Sequence, residues 1–184
     1  MSEYRRIYIE GGTYFITLVT YDRQPIFSGS EARVILRNAW SNVSQRFPFI
    51  TVALCLLPDH IHTLITLPEN DSNYSIRIRE IKRIFTRFFL AGNYQEPFRN
   101  ASRLHKNEAS IWQRRCWEHN IFDEDDFNHH IDYIHYNPVK HGLVKKVSDW
   151  QWSSFHRYVK MGYYDKYWGS DYLNPNDPSN YGDV

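Results

Sequence analysis

Sulfur is scarce in this chain: two cysteines and two methionines in 184 residues. Cys55 lies in an apolar run and Cys116 in an irregular aromatic and basic one, so neither a disulfide framework nor a cysteine-based zinc site is indicated, and a reducing compartment is expected. Net charge is nearly absent too. The 22 Lys+Arg against 21 Asp+Glu leave +1 at pH 7, so bulk charge announces no polyanionic partner, although its distribution can. No apolar run approaches the ~20 residues that cross a bilayer, and the basic start, residues 1–6, has no signal-like hydrophobic block behind it. A cytoplasmic protein with no membrane association is expected. Repeats and low-complexity blocks are missing as well. The length suits one domain with a core of ordinary size: residues 1–160 read as the folded domain, and 161–184, rich in Tyr, Gly, Asn, Asp and Pro, as an irregular tail. Aromatic residues, by contrast, are plentiful. They make up 17% of the chain, with 14 Tyr and 6 Trp, enough to fill a core and still offer rings on which bases could stack.

Residues 13–20, β-branched and aromatic after Gly11-Gly12, read as a buried strand. Ala32, Ile35, Leu36, Ala39, Trp40, Val43 and Phe47 recur at helical spacing, which predicts a helix over 31–46 capped by Ser30. Residues 50–57 and 60–67 form two strands joined at Pro58-Asp59 as a hairpin. Ile78, Ile81, Ile84, Phe85, Phe88 and Phe89 predict a second helix from Ser75 to about Leu90. Its polar side carries Arg79, Lys82, Arg83 and Arg87 as a stripe of one sign, with Glu80 on a different side. Such a stripe is either a solvated face or a track for a phosphate backbone. Residues 92–108 show no period and read as a loop, and 111–119 as the last strand. There Trp112 and Trp117 beside Arg114 and Arg115 could stack bases and hold phosphates, or pack on the sheet. Asp123 to Asp126 open a third helix, where acids suit the unsatisfied amides and the dipole. Pro138 ends or kinks that helix. A short packed helix after Ser148-Asp149 follows. The order strand, helix, strand, strand, helix, strand, helix implies an α+β fold: a ferredoxin-like or RRM-like antiparallel sheet with helices packed on one face and strands one and three at the centre.

The chemistry gathers at Leu57-Pro58-Asp59-His60-Ile61-His62. On a strand, alternate side chains share a face, so His60 and His62 stand side by side about 6.5–7 Å apart along the chain. Two imidazoles in that arrangement can chelate a divalent cation, or can be hydrogen-bonded structural residues. Leu64 occupies the next same-face position, which disfavours a histidine-based nucleotide hydrolase needing one more histidine there. On the third helix Asp126, His130, Tyr133 and Asn137 fall within a sector of roughly 60° beside the apolar stripe of Phe127, Ile131 and Ile134. This polar row is not needed by a core. Asn137 offers an oxygen ligand, and Tyr133, one turn earlier, a phenol within reach of whatever the cation polarises. With an ordinary pKa of about 10, a tyrosine needs a reactive, well-placed electrophile to act as a nucleophile. A metal-bound phosphodiester is one.

Four motifs then carry a resemblance: Tyr4-Arg5-Arg6 with Gly11-Gly12-Thr13; Leu57 to His62; Trp112-Gln113-Arg114-Arg115 with Trp117-Glu118-His119; and His130-Ile131-Asp132-Tyr133-Ile134-His135-Tyr136-Asn137-Pro138-Val139-Lys140-His141-Gly142. In this order, to about Tyr158, the chain resembles the REP-associated tyrosine transposases, relatives of the single-strand insertion-sequence transposases in the HUH nuclease superfamily. The resemblance implies a metal-dependent single-strand DNA endonuclease and strand transferase acting on REP-type hairpins through a covalent 5′-phosphotyrosine. It implies His60, His62 and Asn137 as ligands of Mg²⁺ or Mn²⁺, Tyr133 as nucleophile, and N-terminal residues including Arg5 and Arg6 as similar to those that read a short tetranucleotide beside the hairpin; the further candidates for DNA contact are Arg79, Lys82, Arg83, Arg87, Arg114, Arg115 and Lys140. Cys116 stands where that family more often has an aromatic ring. A monomer or a homodimer is compatible with it. The alternative from the residues alone is a non-catalytic RRM-like nucleic-acid-binding module, using the arginine stripe and the aromatic surface.

Overall fold

The computed structural model describes residues 8–170 apart from 93, 95 and 97. Arg5 and Arg6, and tail residues 171–184, lie outside the described residues. Four strands, β1 (Thr13–Val19), β2 (Ile50–Leu56), β3 (His60–Thr66) and β4 (Trp117–Asn120), form one antiparallel sheet in the order β2-β3-β1-β4. Its helices are α1 (Ser30–Arg46), α2 (Tyr74–Ala91), α3 (Ala101–His105), α4 (Glu124–Lys140) and α5 (Phe155–Lys160). The α+β class and the central pairing of β1 with β3 are as the sequence implied. No helix among the described residues is long and apolar enough to cross a membrane.

One part of that expectation needs correcting. The helices do not share a face. Alternation along the central strands sends Tyr14, Ile16, Leu18, Ile61 and Ile65 to one side, where α1 and α2 cover them. Phe15 and Leu64 go to the other, where they meet Ile131, Tyr133 and Ile134 of α4. The reason is legible in the strands themselves: six of the seven β3 residues are buried, and a strand buried on both faces requires a layer on each. Ile134 is fully buried, and burial of one such side chain contributes about 1.5–3 kcal/mol, which helps fix α4 to that face.

Local chemistry explains the element ends. α2 starts at Tyr74, one residue before the expected Ser75, with Asn73 as its cap accepting from the Ile76 amide, and Asp123 caps α4 by accepting from the Asp126 amide. α1 has Gly29 at its cap position and no side-chain cap bond, so Ser30 is its first residue rather than its cap. The expected loop at 92–108 contains α3, capped by Asn100; five residues are too few to show a period. β4 is shorter than the expected 111–119, because Trp112 pairs only as an isolated bridge with Thr20 before the chain rejoins the ladder at Trp117. Pro138 lies inside the last turn of α4, which stops two residues later at Lys140. Described residues 161–170 carry turns only. Within them, Tyr164 packs on Phe155, and Trp168 meets Tyr136.

Candidate active site

β3 and α4 bring the two halves of the sequence pattern together. The rings of His60 and His62 are 4.8 Å apart between centroids, and Tyr133 stands 5.1 Å from His62, edge to face. All three are nearly buried, at 4%, 4% and 6% exposure. Each histidine is held at Nδ1. For His60 the partner is Asp59 Oδ1 at 2.6 Å, and for His62 it is Thr17 Oγ1 at 2.9 Å, directly across the β1–β3 ladder. With Nδ1 engaged, Nε2 is the nitrogen each ring can turn to a cation, the usual way a second partner orients a ligating imidazole. Burial, then the neighbouring charge of His60, pushes the His62 pKa well below its ordinary value. A neutral imidazole is the form that binds metals. Burial would raise the Asp59 carboxyl, but the His60 bond and then Arg23, at 3.1 Å, outweigh it and hold the pKa at about 2.

Asn137 is fully buried, and neither its Oδ1 nor its Nδ2 has a hydrogen-bond partner among the described residues. An orphaned buried amide costs about 1–3 kcal/mol, so nothing in the packing explains its presence there. It lies one helical turn after Tyr133. Two imidazole nitrogens and an amide oxygen that no described residue hydrogen-bonds fit a divalent cation. Lys140 lies with its ammonium 5.1 Å from the centroid of the Tyr133 ring, and the ring of His141 is 5.2 Å from that of His60.

A family model, Transposase IS200 like, matches residues 9–137. The chain belongs to the IS200-like transposases. It is 48% identical over 171 residues, 93% of this chain and 95% of the relative, to a protein of Haemophilus influenzae named as a REP-associated tyrosine transposase. With a REP-associated tyrosine transposase of Escherichia coli it shares 45% over 171 residues, 93% of each. A solved REP-associated tyrosine transposase bound to a REP hairpin superposes with a TM-score of 0.77 at 42% identity, covering 95% of this chain and 94% of that one. The resemblance carried by the four motifs and the enzyme class are therefore those of the family: this is a tyrosine transposase.

In this IS200-like transposase the remaining predicted residues do not all gather at the histidines. The cations of α2 lie on the opposite side of the sheet. Arg79, Lys82, Arg83 and Arg87 line a groove of about 570 Å³ together with Arg114. Glu80, read from sequence as lying on a different side, reaches into the stripe: it accepts from Arg83 at 2.8 Å and lies 3.9 Å from Arg79. Lys82 donates to the Gln113 carbonyl at 3.0 Å, and Arg114 pairs with Glu108 at 2.5 Å. Arg115 is exposed. The two tryptophans divide: Trp112 is buried against Phe27 and Phe85, whereas Trp117 is half-buried beside Phe15 on the histidine face. Sequence reasoning missed Thr17, Asp59 and His141. Asp59 could have been found, since it directly precedes His60 in the turn; Thr17 required the strand register.

Proposed function

We propose that this transposase cleaves and rejoins single-stranded DNA beside REP-type hairpins in the cytoplasm, with residues 1–160 as the working unit and Tyr133 as nucleophile. The observation that carries the reading is the 5.1 Å approach of the Tyr133 and His62 rings, with His60 4.8 Å beyond. His60, His62 and the Asn137 amide oxygen would hold Mg²⁺ or Mn²⁺. A bound cation withdraws charge from the scissile phosphate and stabilises the departing 3′-oxygen. Tyr133 forms an Oη–P bond as the P–O3′ bond breaks. The phenol gives up one proton and the 3′-oxygen gains one, so a phosphodiester is exchanged for a phosphotyrosine without an outside energy source. The ammonium of Lys140 places positive charge beside the phenolate that develops when the bond reverses. Asp59 and Thr17 fix the orientation of the imidazoles. Arg5, Arg6, Arg79, Lys82, Arg83, Arg87, Arg114, Arg115 and Lys140 supply charge to the DNA backbone, and the relative solved with a REP hairpin supports that partner.

The test uses the full chain, a REP-type hairpin oligonucleotide with single-stranded flanks, and Mn²⁺. A covalent adduct is expected on a denaturing gel, absent with chelator and absent in Tyr133→Phe. An adduct that persists in Tyr133→Phe removes Tyr133 as nucleophile.

A further inference from the structure

The row of polar residues on α4 extends beyond the candidate active site, to a cluster its chemistry does not use. His119 on β4 and Asp126 and His130 in the first turns of α4 each place one ligand atom within 4.8 Å of the other two. Asp126 Oδ2 lies 2.8 Å from His119 Nε2, and Asp126 Oδ1 lies 3.0 Å from His130 Nδ1. The two imidazoles stack, with centroids 4.8 Å and planes 16° apart. Asp126 Oδ2 also accepts from the Phe122 amide at 3.1 Å, and His130 Nδ1 lies 2.8 Å from the Asp126 carbonyl. The cap of α4 comes from Asp123, so neither imidazole is needed to start the helix. The side chains of His119, Asp126 and His130 are 27%, 20% and 16% exposed, which leaves the cluster open to solvent. Phe15 touches a ring of each centre, at 4.7 Å from His130 and 5.5 Å from His62.

We propose that His119, Asp126 and His130 form a second cation site, separate from His60, His62 and Asn137, that takes a borderline divalent ion such as Zn²⁺, Co²⁺ or Ni²⁺. Two imidazole nitrogens and one carboxylate form a donor set suited to those ions, whereas Mg²⁺, which prefers oxygen ligands and retains its waters, would need the DNA phosphate oxygens that only the site beside Tyr133 is proposed to receive. Three protein ligands leave a coordination position for water. On ion entry the contacts from the two ring nitrogens to the carboxylate give way to metal bonds. A neutral ring gives up the proton of the nitrogen that binds the ion and takes one from solvent on the other, Nδ1 of His119 or Nε2 of His130, whereas a ring protonated on both nitrogens releases one proton to solvent. The ion would staple the edge strand β4 to the start of the helix that carries Tyr133. Nothing in this assignment depends on the role of Tyr133.

Zn²⁺ binding by equilibrium dialysis, and melting temperature with and without Zn²⁺, are measured on the full chain and on His60→Gln/His62→Gln, which disables the first site while keeping its volume. The double variant is expected to retain one equivalent of Zn²⁺ and to melt at a higher temperature with it, and Mg²⁺ at the same concentration is expected to give no shift. Adding His119→Gln or His130→Gln, each of which keeps an amide donor toward Asp126, should remove both the equivalent and the shift. The proposal is overturned if the double variant binds no Zn²⁺, if the equivalent survives both added substitutions, or if Mg²⁺ shifts the melting temperature as Zn²⁺ does. Two independent added variants keep the test decisive should one of them misfold.

Discussion

Asp59 and Asn137 make opposite contributions to the candidate active site, and single substitutions can separate them. Asp59 accepts from His60 at 2.6 Å and is partly exposed in the turn between β2 and β3. Asp59→Asn keeps the shape but no longer fixes which ring nitrogen carries the proton. Loss of such an orienting partner typically weakens a metal site about 10–100-fold; that weakening is expected for Mn²⁺ by isothermal titration calorimetry, with an unchanged circular dichroism spectrum. An unaltered affinity would remove Asp59 from this role. Asn137 is the reverse case. Its buried amide has no partner among the described residues, so Asn137→Leu, close in volume, is expected to gain about 1 kcal/mol in urea denaturation while losing adduct formation. A destabilised Asn137→Leu would mean that the amide stabilises the fold rather than serving the site.

At the level of elements, α4 and the segment before β4 make two further tests. Asp123→Ala removes the α4 cap and should cost about 1 kcal/mol of stability, measured by urea denaturation, with His60 and His62 untouched. Glu96 clips the segment ahead of α3: it accepts from Arg99 at 2.7 Å and from the Ser110 amide at 2.6 Å. The Arg99 bond, outweighing burial, lowers its carboxyl pKa below the ordinary 4.5. Because the folded value is the lower one, the unfolded chain takes up the proton first. The stabilisation is complete above about pH 4.5 and is lost as pH falls through the folded value. Glu96→Gln should therefore flatten the acid limb of a stability-versus-pH curve below pH 4.5 and leave the neutral region's slope alone; an identical acid limb would count against the clip. The elements themselves were largely legible in sequence, because alternation marks β1 and β3 and the three- and four-residue spacing marks α1, α2 and α4. What escaped is what depends on reach or register. Arg77 was passed over amid the isoleucines of α2, yet it is 1% exposed because its guanidinium reaches the carbonyls of Pro48 and Asn73 and the carboxylate of Asp71. The meeting of His119 with Asp126 and His130 joins a strand to a helix, which no spacing along the chain announces.

Across the whole molecule the sheet separates two kinds of chemistry: His60, His62 and Tyr133 under α4 on one side, and the cationic groove of α2 with Arg114 on the other. A net charge of +1 hides this division, since Glu80 and Glu108 offset part of the groove. An exposed ion pair of the Arg83–Glu80 kind is worth at most about 1 kcal/mol, so a phosphate can displace it, and Arg79 and Arg87 are the cations with least to give up. If the groove tracks DNA backbone, Arg79→Ala/Arg87→Ala should weaken hairpin binding equally for different hairpin sequences and reduce the salt slope by about 2, near one unit per lost phosphate contact. Tyr133→Phe should leave both affinity and slope as they are, because it removes one hydroxyl and no charge. Fluorescence anisotropy across a salt series separates the outcomes. An unchanged slope in the double arginine variant would exclude the α2 groove as a phosphate track, and would confine the DNA path to the face of the sheet where Lys140 stands over Tyr133.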